Sequence, residues 1–160
     1  MKLAQLITPA QILLDLKADG HWAAIEELVE GLTCCGKLPL SLKAESLASL
    51  KAREEQVSTG IGGGVAIPHA FSDELEEVIA IFGRSVAGVD FNALDGKKVH
   101  LIILFIVPRR DYHLHLRTLA AIAKMFTNSE VRRQLVEAGT SDDILAILDS
   151  RPSRTGQITA

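Results

Sequence analysis

Cysteine is nearly absent from this chain of 160 residues, with only Cys34 and Cys35 present, and the two are adjacent. Neighbouring cysteines are poorly arranged for a structural disulfide within the chain. Without a C-x-x-C spacing they also suggest neither a redox couple nor a zinc ligand pair, so they are expected to act as small buried apolar groups. Long apolar runs are missing too. The longest pure run, Leu101 to Val107, has seven residues, which is too short to span a bilayer as a helix, and no membrane insertion is expected. There is no secretory h-region behind Lys2, so a cytoplasmic location is expected. Nor is there an excess of basic residues: the formal net charge is -3 and the pI is near 5.9, which argues against a nucleic-acid partner. The sequence has no G-x-x-x-x-G-K-[ST] phosphate loop, no H-E-x-x-H pair and no internal repeat.

What is present is the balance of a folded domain, 48% hydrophobic and 23% charged residues, in a length that buries about two-thirds of the extended chain's surface. Thr8-Pro9 suits a capped first turn, and Ile12 to Leu16 reads as a strand ended by Asp19-Gly20. Trp22, Ile25, Leu28, Val29 and Leu32 recur at helical spacing. A second helix is expected from Ser41 as cap to about Arg53–Gln56, with Ala44, Leu47, Ala48 and Leu50 inward. Val78 to Ser85 is the next strand, Val86 to Ala93 a loop or short edge strand, and Val99 to Val107 a central strand apolar on both faces. After Pro108 a helix opens at Tyr112, with Leu116, Leu119, Ala120, Ala123 and Phe126 on its inner face and Leu114, Ile122 and Met125 broadening it. Capping pairs at Thr127/Glu130 and Thr140/Asp143 open two more helices. Helices among strands of this kind predict an α/β fold, a mixed central sheet flanked by helices. Residues 1-149 form one domain in this reading and 150-160 a loose tail.

The segment from Arg53 to Ala70 is the most unusual. Four glycines, Gly60, Gly62, Gly63 and Gly64, precede a strand-like Val65-Ala66-Ile67 that delivers Pro68 and His69. A dinucleotide fingerprint is excluded, because Val65 stands where the third glycine belongs and a strand rather than a helix follows. A zinc site of His69, His113 and His115 with Asp111 or His100 lacks the usual ligand spacing. The remaining chemistry is that of a neutral imidazole, whose nucleophilic nitrogen can accept a phosphoryl group. Ser58, Thr59 and nearby amides would supply donors to phosphoryl oxygens, Arg53 a cation, and His115 ring donors at a helix start. The acidic stretch Asp73, Glu74, Glu76 and Glu77 is either a solvated turn or a rim for a basic partner.

Two motifs carry a family resemblance. R-E-x-x-x-S-T-G-I-G-x-G-V-A-I-P-H runs unbroken from Arg53 to His69, and H-L-x-x-L-A runs from His115 to Ala120. Over about residues 1-148 the chain resembles the type-2 enzyme IIA domains of the bacterial phosphoenolpyruvate-dependent phosphotransferase system, and among them the nitrogen-regulatory branch. The resemblance implies that His69 is the phosphorylated histidine, His115 a second active-site histidine and Arg53 the arginine attending the phosphoryl group. It implies no cofactor, phosphoenolpyruvate being the indirect donor. The implied partners are a histidine-containing phosphocarrier protein and regulated targets such as kinases or transporters. Two other readings stay open at this point: a sugar-type enzyme IIA that passes phosphate to a IIB domain, and a binding module that keeps the fold without phosphorylation.

Overall fold

The computed structural model describes residues 3–150, and its central strand is the one that the sequence marks as apolar on both faces. Leu101, Ile103, Phe105 and Val107 of this strand, β6 (Val99–Pro108), enter one hydrophobic core, while Ile102, Leu104 and Ile106 enter another. Successive side chains of a strand point to opposite faces, so a strand buried on both sides needs a layer over each. Helices α1 (His21–Cys34) and α2 (Lys43–Gln56) cover one face with Ile25, Leu28, Leu32 and Leu50. The other face is covered by α3 (Tyr112–Met125), α4 (Ser129–Glu137) and α5 (Ser141–Ser150) with Ile122, Phe126, Val131, Leu135, Ile144 and Leu148. The α/β architecture expected from the sequence is therefore present.

The sheet has six strands and is mixed. Strand β5 (Ile79–Val89) pairs antiparallel with β6, and the short β1 (Ile12–Leu13) pairs parallel with β5 at the edge. On its other side β6 has two short parallel neighbours in succession. Strand β3 (Val65–Ala66) lies opposite Leu101 and Ile102, and β4 (His69–Ser72) lies opposite Phe105 to Pro108. Ile67-Pro68 separates them, because proline has no N–H to give to a ladder. Strand β2 (Gly60–Gly62) pairs antiparallel with β3 on the outside.

Several expectations need correcting. The strand expected to run to Leu16 ends at Leu13, because the Leu14 carbonyl turns to accept from Arg84 Nε while Leu16 N donates to Arg84 O. Val86 to Ala93 is not a separate edge strand: β5 runs on to Val89 in the middle of the sheet, across a bulge where Gly88 has φ +95° and gives its N–H to Ser85 Oγ. Ser41 does not cap α2. It lies in a 3₁₀ turn, Leu40–Leu42, that leads into the helix. Thr127 does not cap α4 either, since Asn128 Oδ1 accepts from Glu130 N and Val131 N while Thr127 Oγ1 donates back to Lys124 O. Cys34 is exposed and Cys35 half-buried, both as free thiols, rather than buried as expected. No helix of the described residues is long and apolar enough to cross a membrane. Of the tail expected over 150-160, all but Ser150 lies outside the described residues.

Candidate functional site

Helix α2 and strand β4 pack together, and this brings the first motif's two ends to one place. Arg53 and Glu54 stand in the last turn of α2, and His69 is the first residue of β4, registered opposite Phe105. The Pro68 carbonyl accepts from Phe105 N at 3.0 Å, which locks the chain just before the histidine to the central strand.

His69 is half-buried, and its Nδ1 lies 2.9 Å from the carbonyl oxygen of Ile67. A carbonyl can only accept, so the proton of the neutral ring sits on Nδ1 and the lone pair on Nε2. The imidazole pKa is held below its ordinary value. Burial is the largest cause and the Arg53 charge also lowers it, while the Ile67 hydrogen bond and the Glu54 carboxylate oppose them. Around neutral pH the ring is therefore uncharged with one free nucleophilic nitrogen.

Arg53 is fixed by donation from Nη1 to Val57 O at 2.8 Å. Glu54, only 5% exposed, accepts from both Thr59 N at 2.8 Å and Thr59 Oγ1 at 2.5 Å. Ser58 Oγ donates to Phe91 O at 2.6 Å and accepts from Gly60 N. Both hydroxyl protons that the sequence reading assigns to phosphoryl oxygens are thus committed inside the protein. Their work here is structural, pinning the link between α2 and β2. The sequence reading also gave Glu54 no role, although an acid next to Arg53 and five residues before Thr59 is placed to close that link.

The glycines lie elsewhere. Gly62, Gly63 and Gly64 all have positive φ, between +66° and +96°, and turn the β2–β3 hairpin. Asp95 Oδ2 accepts from Gly63 N, and the Arg132 guanidinium packs against Gly63. Val65 and His69 are registered opposite Leu101 and Phe105, four residues along β6, so the turn stands about 13 Å or more from the histidine. The glycine turn shapes the hairpin and does not cradle the site.

His115 sits in the first turn of α3, which follows β6 through the 3₁₀ turn Arg109–Asp111. Only 7% exposed, it has no hydrogen bond among the described residues. Leu119, Ala123 and Phe126 pack inward as the sequence reading has them, but Leu116 and Ala120, placed on the same face, are exposed, and His115 is buried in their stead. His115, Leu119, Ile122 and Phe126 face inward, whereas Leu114 and Leu116 are exposed at 61% and 38%. The two site histidines make no ring contact or hydrogen bond with each other among the described residues. Sequence reasoning also missed an aromatic chain beside His69: Phe71 meets its ring edge-on at 6.4 Å, and Tyr112 meets Phe71 at 5.2 Å. Its only signal is Phe71 two residues after the histidine, on the same face of a strand.

Comparison with known proteins fits this geometry. The chain is 36% identical over 149 residues to the fructose-specific EIIABC component of the phosphotransferase system of Bacillus subtilis, covering 93% of this chain but only 23% of that protein. It is 31% identical to a nitrogen regulatory protein of Pseudomonas aeruginosa across 92% of this chain and 95% of that one. Among solved structures, nitrogen regulatory protein IIA-Ntr from Neisseria meningitidis superposes with a TM-score of 0.83 at 31% identity, covering 91% and 98% of the two chains. Residues 5–151 match the family described as phosphoenolpyruvate-dependent sugar phosphotransferase system, EIIA 2, and the chain belongs to that family, the type-2 enzyme IIA domains.

Proposed function

We propose that this protein accepts a phosphoryl group on Nε2 of His69 from the phosphohistidine of a histidine-containing phosphocarrier protein, and that its phosphorylation state is the signal read by regulated targets. The observation that carries the reading is the Nδ1 to Ile67 O hydrogen bond, which leaves Nε2 as the one nucleophilic nitrogen. In the transfer, the Nε2 lone pair attacks phosphorus in line as the donor's P–N bond breaks. The donor nitrogen keeps that bond's electron pair, and nothing is oxidised or reduced. The proton stays on Nδ1, donated to Ile67 O, so the charge gained by the ring faces an oriented carbonyl.

In this reading Arg53 attends the phosphoryl oxygens as the nearby fixed cation, and the His115 ring N–H, which has no partner among the described residues, supplies a second donor. Ser58 and Thr59 hold the link in place. The regulatory branch is favoured over sugar transfer by the likeness to nitrogen regulatory protein IIA-Ntr, which superposes at a TM-score of 0.83 and 31% identity. The test is intact mass, kept away from acid, after incubation with phosphoenolpyruvate, enzyme I and the carrier. One added phosphate supports the reading, and a folded chain that gains none from a cognate carrier contradicts it.

Two smaller effects are expected. Because His69 titrates below the ordinary imidazole range, its nucleophile persists to lower pH than that of an exposed histidine and is lost as pH falls through the folded pKa. Arg53→Gln removes one of the influences lowering that pKa. The acid limb of the transfer-rate profile should therefore move to higher pH, while a limb left unmoved would separate Arg53 from the ring. Gly63→Ala places a Cβ at φ +66° and 3.1 Å from Arg132 Cζ. It should cost about 1–2 kcal/mol of stability in denaturant melts and leave phosphoryl acceptance unchanged, since the turn stands away from His69.

A further inference from the structure

Beside Phe71, a small cavity of about 120 Å³ opens between the start of α2 and the end of β4. Glu45, Ser46 and Ser49 come from the helix; Ser72 ends β4, Asp73 and Glu74 follow it, and Arg109 completes the lining. Its charge is unbalanced. Arg109 Nε donates to Asp73 Oδ1 at 2.8 Å, and its guanidinium lies 5.9 Å from the Phe71 ring centre, so this one cation is already paired. Glu45 and Glu74 have no ion-pair partner among the described residues. A second feature is independent of the charge: Ser46 is 4% exposed, lines the cavity and makes no hydrogen bond among the described residues. A buried hydroxyl left without a partner is destabilising, and an occupant that donates hydrogen bonds to it removes that cost.

We propose that this cavity is a socket for one basic side chain, lysine or arginine, of the phosphoryl-donor protein docked over His69. The proposal rests on the reading of His69 given above. Carboxylates and hydroxyls are the acceptors that an ammonium or guanidinium head needs, and those heads have no acceptor of their own to leave unpaired. The occupant is a side chain of a docked protein because the cavity holds little more than such a head. Its lining includes Phe71, whose ring meets that of His69 edge-on at 6.4 Å between centres, so a protein that covers the histidine has the socket beside it. Exposed Tyr112 packs against Phe71 and gives that protein an apolar seat next to the polar hole.

The full chain tests this in single-turnover transfer from the phosphorylated carrier, measuring rate against carrier concentration. In Glu45→Gln/Glu74→Gln the half-saturating carrier concentration should rise about fivefold to tenfold while the limiting rate stays within about twofold, and its dependence on ionic strength should flatten. Ser46→Ala should raise half-saturation about twofold to threefold with melting temperature unchanged or higher, which separates recognition from a structural role. Half-saturation equal to wild type in both variants overturns the proposal. So does a methylguanidinium-induced rise in melting temperature, seen in wild type and lost in the double variant, when the transfer kinetics do not move; that result assigns the cavity to a free cation. A wild type that takes no phosphate from the carrier defeats the His69 reading itself, and this is seen before any variant is compared.

Discussion

His69→Ala abolishes the acid-labile phosphate and leaves a folded protein. The loss is complete because His69 alone ends the motif that opens at Arg53; His100 shares its fixed tautomer and partial burial but stands five residues along β6 from Phe105, the strand partner of His69. His113 is exposed on α3, His100 Nδ1 is engaged with Ser85 O inside the sheet, and His115 is buried. The fold should survive because His69 is only half-buried and makes one side-chain hydrogen bond, to its own chain two residues back. Removing the half-buried ring opens the Ile67 carbonyl to water, so the melting midpoint should fall by no more than the effect of about 1 kcal/mol. His69→Gln should give the same chemical result. Retention of a full phosphate in either variant, by intact mass, would move the acceptor elsewhere.

The second large effect is on stability. Arg84 is 7% exposed and has no carboxylate partner among the described residues. Its guanidinium is held instead by carbonyls: Nε donates to Leu14 O at 3.1 Å, and Nη1 donates to Leu135 O at 3.2 Å, to Val136 O at 3.3 Å and to Ala138 O. The last three close the C-terminal end of α4, where carbonyls lack helical partners and the helix dipole favours a cation. One side chain thus ties β1's exit, the sheet and α4 together. Arg84→Leu leaves those carbonyls facing an apolar group, which should cost about 3 kcal/mol net of the relieved desolvation. For a chain of this size that corresponds to about 6–12 °C in Tm. Hydrogen exchange should show α4 losing protection first. A melting temperature equal to wild type would mean that the carbonyls find water and that Arg84 carries no such load.

How far the fold could be read from sequence follows from how local each signal is. Leu101 to Val107 and the Trp22 to Leu32 stripe are periodic over their own length, so β6 and α1 were legible. The bulge in β5 was not, because Gly88 at φ +95° looks from sequence like the end of a strand when it is a kink within one. The inner face of α3 was misread for a related reason. Leu114 and Leu116 are as apolar as core residues, and only the position of the helix against the sheet decides that His115 is buried while they stay exposed. At the site, the histidine could be found because the motif around it is long, whereas the duty of each neighbour could not. Thr59 looked like a free hydroxyl until Glu54, on the preceding helix, was seen to hold both its N–H and its O–H. The glycines stand close to His69 in sequence, but the register along β6 places their turn about four strand residues away.

Those corrections leave the central claim resting on one ring. Long-range ¹H–¹⁵N correlation spectra of the protein, before and after phosphorylation through the carrier, report which imidazole nitrogen of His69 carries which group. The expected result is a proton on Nδ1 before transfer and phosphorus on Nε2 after it, with the Nδ1 proton still protected by Ile67 O. Phosphorus on Nδ1, or a His69 ring that does not change while the protein gains phosphate, would contradict the account.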